Sequence, residues 1–350
     1  MFRHQKGFAN MESISYDNKM ISDTKCYSNF TEFLLLGFSD FHYKHQLFIF
    51  VLFCSTYIFT LLGNGLIIIT VTQNSRLHTP MYFFLRNLSI LELCYVTATV
   101  PKAMHLFMSG MKSISLIGCA FQMQAFVSIG GIQCLFLGVM AFDRYMAICN
   151  PLRYSSVMSH KMCFNLTAGS WVVGCLLSFG LTSSIFSVPC CNSNLIGHFF
   201  CDIPPVLNLA CVNTFNNELS VLIACILVVV MPFLAILCSY INILYSVGLI
   251  HSIEGRQKAL STCISHLVSV TLFYGTAMFF HLRLGTQGST GNDRIMALVY
   301  CIIIPAINPL IYSLRNKDMK QSVKIRIRQF ARLNLPSSRR SQWQRSLHFP

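Results

Sequence analysis

The chain has 350 residues, 54% of them hydrophobic and 11% charged, with a formal net charge of +14. Soluble domains carry about 25% charged residues. That deficit, with a mean hydropathy of +0.56, excludes an ordinary water-soluble enzyme, and modest Gly and Pro content excludes a disordered or fibrous chain. A helix needs about 20 residues to cross a bilayer, and the composition supplies several such stretches. An integral membrane protein is the starting expectation.

Residues 1–46 read as an extracellular N-terminus. They hold no basic-then-apolar stretch ending in a small-residue cleavage site, and the apolar run 33–38 is too short for a signal core. The first span is therefore expected to act as an uncleaved signal-anchor. Asn29-Phe30-Thr31 is an N-glycosylation sequon on that side. Asn87-Leu88-Ser89 and Asn165-Leu166-Thr167 also match, but in or beside spans where they cannot be used.

Runs poor in Asp, Glu, Lys and Arg then mark seven spans, 47–71, 81–101, 119–142, 162–181, 219–249, 259–282 and 295–314, which together form one transmembrane domain over 47–314. The second, interrupted by Arg86 and Glu92, is the weakest; the third stops at Asp143-Arg144. None alternates apolar and polar residues, so a β-barrel fits poorly. Helices satisfy their own backbone hydrogen bonds in lipid, and these runs have helical length.

Residues 315–350 carry ten Lys or Arg against one acid, Asp318, a net +9 of the chain's +14. Basic segments beside spans stay in the cytosol. The C-terminus is expected inside and, with an odd number of spans, the N-terminus outside. The basic balance is thus a topology signal, and no nucleic-acid partner is expected. Met319, Val323, Ile327 and Phe330 recur at helical spacing beside Lys320, Lys324 and Arg328, the pattern of a short amphipathic helix on the anionic leaflet of the bilayer. No Cys follows Cys301, so that helix has no palmitoyl anchor. The Ser- and Arg-rich remainder is expected to be disordered.

Ten of the sixteen cysteines lie in or against spans, where Cys packs as a small hydrophobe. Cys26, Cys119, Cys190, Cys191, Cys201 and Cys211 map outside, where disulfides persist. Pairing Cys119, at the head of span three, to the 182–218 loop would pin that loop across the bundle, and each bridge contributes about 2–4 kcal/mol. A metal site at Cys190-Cys191 is the rival reading, disfavoured because adjacent cysteines do not easily chelate together.

Several strings are more specific. Met140-Ala141-Phe142-Asp143-Arg144-Tyr145 closes span three and Asn308-Pro309-Leu310-Ile311-Tyr312 closes span seven; Gly63-Asn64 lies in span one, and Pro232 with Ser239-Tyr240 in span five. Together they resemble the rhodopsin-like G-protein-coupled receptors. Leu77 through Leu85 (LHTPMYFFL), Lys258 through Leu267 (KALSTCISHL) and Pro309 through Asn316 are similar to the odorant (olfactory) receptor branch of that family. The resemblance runs from about residue 29 to about residue 320. Residues 1–19 extend beyond the short N-terminus usual there, which makes Met20 a candidate start and leaves the choice open among Met1, Met11 and Met20.

The resemblance implies an all-α membrane protein, a seven-transmembrane helix bundle without catalytic chemistry. It implies that Asp143, Arg144 and Tyr145 form a trigger, with Arg144 held at rest and released to a cleft for a G protein, and that Tyr240 and Tyr312 swing toward it. An Arg at helix centre costs about 2.5–3.5 kcal/mol on insertion scales, so it must be paired or face water. Asn308-Pro309 breaks the helix ladder, because proline lacks an N–H and crowds the preceding turn; the resemblance makes that bend a switch. Glu92, the one acid in mid-span, should be protonated or bound to a cation. It matches a family acid that helps hold sodium, but the second ligand position is Gln133, which offers no charge; both states remain open, and no other cofactor is expected. By the same resemblance the ligand pocket lies near the outer third of the bundle, lined by Phe126, Val127, Gly130, Gly131, Ala224, Cys225, Tyr274, Ala277, Met278 and His281. That set has no formal charge, which favours a small neutral volatile. The disulfides it implies are Cys119–Cys201 and Cys191–Cys211, leaving Cys26 and Cys190 undecided. Its implied partners are an odorant and a stimulatory, olfactory-type heterotrimeric G protein that raises cAMP.

Three rival readings compete with this one. A rhodopsin-like receptor for a non-odorant metabolite in another tissue has the same architecture, and sequence does not separate it. A transporter should show inverted repeats and broken spans with midplane polar groups, and one midplane acid is too few. An intramembrane hydrolase needs a paired nucleophile and base; His266 has no acidic partner at helical spacing.

Overall fold

The computed structural model describes residues 31–109, 112–190, 193–281, 291–315 and 317–333. Met11, Met20, Cys26, Asn29 and Cys191 lie outside the described residues. The helices in chain order are α1 (Tyr43–Gln73), α2 (Pro80–Ser109), α3 (Leu116–Cys149), α4 (Pro151–Val157), α5 (His160–Phe186), α6 (Ile203–Leu207), α7 (Phe215–Cys225), α8 (Met231–Gly248), α9 (Ile253–His281), α10 (Gly291–Leu298), α11 (Ile304–Arg315) and α12 (Lys317–Leu333). A π turn, Ile226–Val230, joins α7 to α8, and a second, Val299–Ile303, joins α10 to α11. Among the described residues, seven helical stretches are long and apolar enough to cross a membrane.

The helices overrun the apolar stretches because a charge ends a hydrophobic run without ending a helix. α3 is the clearest case: the Ser115 hydroxyl caps it by accepting from the Gly118 N–H at 3.1 Å, and it continues beyond Asp143-Arg144 to Cys149. Polarity is inverted relative to a soluble bundle. Phe48 and Leu62 on α1, Phe164 and Phe179 on α5 and Ile241 on α8 are exposed, while Asn64, Glu92, Gln133, Asp143 and Asn308 are buried. Outward apolar faces of this extent require a hydrocarbon surround.

α3 runs through the middle, against α2, α5, α8 and α9. Gly174 on α5 makes close approach possible, since a Cβ there would lie 2.5 Å from the Ile132 side chain. Gly63 does the same for α1 on α11: its added Cβ would sit 3.0 Å from the Pro309 ring, which has no rotamer to yield. Gly63→Val is therefore expected to destabilise by about 1–3 kcal/mol through overpacking, seen as a lower melting temperature of the purified protein. Gly65→Val, where a Cβ meets nothing within 4 Å, should be near neutral.

Both π turns end two residues before a proline, Pro232 and Pro305. Proline cannot supply the next i→i−4 hydrogen bond, and a widened turn absorbs the mismatch. These turns were not foreseen; the sequence pointed to Pro309, which lies inside α11.

One end of the bundle carries a three-stranded sheet that an all-α reading did not anticipate. β1 (Glu32–Leu35) pairs antiparallel with β2 (Ser113–Ser115) and parallel with β3 (Leu195–Ile196), with Phe33 opposite Ile114 and Leu34 opposite Leu195. Phe33 and Leu35, from the run too short for a signal core, point into the bundle and are buried. Arg294, near the start of α10, bonds the carbonyls of Gly37 and Gly197 at 3.0 and 2.9 Å and pairs with Asp40, tying the sheet to the seventh span. At the opposite end α12 docks by its first turns: Met319 is buried, Val323 packs on the core, and Ser322 accepts from Asn74 at 2.9 Å. Ile327 is exposed.

Candidate functional site

A cavity of about 160 Å³ opens near the sheet end, walled by α2, α3, α5, α7, α9, the two π turns and the segment around Asp202. An engineered apolar cavity of about 150 Å³ holds benzene, so this space suits a small organic molecule. Seven of the ten expected lining residues meet here: Phe126, Val127, Gly130, Gly131, Ala224, Cys225 and Ala277. Phe126 stacks on Tyr95 at 5.1 Å, and Gly131 receives the first π turn, where a Cβ would lie 3.2 Å from Val228. Tyr274 lies outside the cavity. It is buried against Phe233 and its hydroxyl donates to the Cys134 carbonyl at 2.8 Å. The neighbouring Phe273 takes the lining position, because adjacent residues on a helix face different ways. Met278 packs against the core and is not part of the cavity wall. The His281 side chain lies outside the described residues.

The lid of the cavity is fixed by covalent and polar anchors. Cys119 and Cys201 form a disulfide with a Cα–Cα separation of 5.4 Å, both fully buried. The Cys201 N–H donates to Gln122 on α3 at 3.0 Å, and Gln122 donates onward to the Ala98 carbonyl of α2 at 3.1 Å. Cys211 is also in a disulfide; its expected partner Cys191 lies outside the described residues.

Next to this anchor comes Asp202, a wall residue the sequence reading missed. It is 3% exposed, and its carboxylate accepts from the Ile203 N–H at 2.8 Å and the Tyr300 hydroxyl at 3.3 Å. Burial lifts its pKa to about 6, opposed by those two hydrogen bonds. The inferred absence of charge in the pocket therefore needs correcting. The available signal was adjacency: a residue beside a cysteine bridged to span three must lie close to the bundle.

At the opposite end Arg144 is nearly buried and lies 3.5 Å from Asp143. Asp143 also accepts from the Tyr154 hydroxyl of α4 at 2.9 Å, a partner not visible in the sequence. Tyr145 packs half-buried against the core. Tyr240 does not reach Arg144; its hydroxyl meets His266 Nδ1 at 2.8 Å. The Leu137 carbonyl, 3.1 Å from His266 Nε2, can only accept, so Nε2 carries the hydrogen and Nδ1 accepts from Tyr240. The partner of His266 is thus a tyrosine from another helix. Two α9 side chains, Tyr274 and His266, hold carbonyls one turn apart on α3, along the path from the cavity to Arg144. Tyr312 is buried on α11.

Between the two ends, Asn308 donates to the Glu92 carboxyl, and buried Gln133 lies beside it. Among the described residues no group of three His, Cys, Asp or Glu could hold a metal ion.

Seven membrane-length helices with a ligand-sized cavity at one end have the architecture of a multi-pass receptor. The family model described as olfactory receptor matches residues 53–329. Human olfactory receptor 10C1 is 46% identical over 294 residues, covering 84% of this chain and 94% of its own. Human olfactory receptor 13D1 is 44% identical over 302 residues (86% and 87%), and human olfactory receptor 10AG1 44% over 293 residues (84% and 97%). The chain belongs to the olfactory receptor family.

Proposed function

We propose that this receptor sits in the plasma membrane with its sheet end outside, binds a small uncharged volatile odorant in the cavity, and activates a stimulatory, olfactory-type heterotrimeric G protein to raise cAMP. The observation that carries this reading is the cavity itself, whose walls are mostly aromatic, aliphatic and glycine residues. The orientation is supported by the disulfides gathered at the sheet end, which need an oxidising compartment, and by the basic α12 at the other. Glycosylation at Asn29 belongs to the same orientation.

Ligand in the cavity favours the conformation whose Arg144 end opens, by no more than its difference in affinity for the two states. Tyr154 opposes that opening through Asp143. Tyr154→Phe removes one hydrogen bond to a charged group, worth about 1.5–3 kcal/mol, and is expected to raise ligand-independent cAMP several-fold at equal surface amount. At Glu92 sodium would compete with the Asn308 amide and find only a neutral oxygen at Gln133, so signalling does not depend on that cation in this reading. The test is a cAMP reporter screen against a panel of volatiles, with Arg144→Ala as control; a response that survives in the control would overturn the coupling role.

A further inference from the structure

We propose that Asp202 and Tyr300 form a polar subsite in the cavity that binds an O–H or N–H donor on an otherwise apolar ligand. The inference rests on the odorant reading and names the ligand's head group.

The surroundings of Asp202 are otherwise oily. Phe126, Val127, Ile203, Val221 and Phe273 share the cavity wall with it. A carboxylate offers about four acceptor positions, and two are used here, by the Ile203 N–H and the Tyr300 hydroxyl. Among the described residues Asp202 makes no ion pair, and Arg294 of the seventh span is committed to Asp40 and two backbone carbonyls. The remaining acceptor capacity of a 3% exposed carboxyl therefore looks onto the cavity. Leaving buried acceptor capacity unfilled is costly, and a donor on the ligand fills it.

The carboxyl is also held still. The disulfide fixes the preceding residue to α3, Gln122 bonds the Cys201 N–H, and Tyr300 is set by the second π turn and by its ring contact with Phe126 at 6.0 Å. Turn stabilisation alone does not account for an acid, because capping the Ile203 N–H needs one neutral oxygen, which Asn supplies equally. With its pKa near 6, the group is mostly carboxylate at neutral pH and a strong acceptor.

The test uses the full-length receptor in lipid nanodiscs and reads ligand-induced thermal stabilisation, with hexanol, hexylamine and the isomeric methyl pentyl ether as probes. Expected is a tenfold or greater preference for hexanol or hexylamine over the ether in the wild type. Asp202→Asn, which keeps the cap, should erase that preference, and Tyr300→Phe should reduce it. An amine outranking its alcohol supports the subsite and overturns only the neutral-ligand reading. Equal affinity for alcohol and ether, or a preference that survives in both variants, overturns the subsite and leaves the odorant reading intact. Stabilisation by none of the three overturns the subsite and counts against the odorant reading.

Discussion

Arg144→Ala is expected to abolish ligand-driven cAMP, to the level of cells lacking receptor, while the protein still reaches the surface. Among the described residues Arg144 is the one cation buried at that end, 3.5 Å from Asp143, and in the proposed coupling Ala leaves no group to meet a G-protein helix. Folding should survive, because Asp143 keeps the Tyr154 hydroxyl at 2.9 Å and so is not left bare. Surface staining beside a concentration–response curve separates the two effects. Normal signalling from the variant would remove Arg144 from the mechanism.

Cys201→Ser should be as damaging by a different route. The bridge to Cys119 closes a loop with a sequence separation of 82, and losing a native disulfide costs about 2–5 kcal/mol. Two dependent features go with it: the Cys201 N–H bond to Gln122 and the placement of Asp202 on the cavity wall. The expected outcome is intracellular retention, with no ligand response from any fraction that escapes, read by comparing surface with total protein. Cys119→Ser should behave alike and the double variant no worse, since all three remove one bond.

The bundle was legible because lipid imposes a simple rule: about 20 apolar residues without charge. α1, α3 and the α7–α8 span obey it so plainly that only their ends were in doubt. Seven of the ten positions implied by the family resemblance line one cavity, and within each helix the spacing fixes which of them share a face. Tyr274 and Phe273 mark the limit of that reasoning, because a rotation of one residue moves the tyrosine from the wall to a hydrogen bond on α3.

What stayed hidden depends on contacts between distant segments. The sheet joins strands of two to four residues drawn from three parts of the chain, too short to leave an alternating pattern. Tyr154 on Asp143, Tyr240 on His266 and Arg294 on Asp40 pair groups on different elements. Asp202 belongs to this class: as a sequence letter it reads as a solvated loop acid, and only the disulfide beside it brings it to the cavity.

The most direct measurement is terminal epitope tagging in intact cells. With seven crossings and the cavity facing outward, an N-terminal tag should stain without permeabilisation and a C-terminal tag only after it. Both tags on one face of the membrane would contradict the seven-span topology and, with it, the separation of cavity and Arg144 on which the proposed coupling depends.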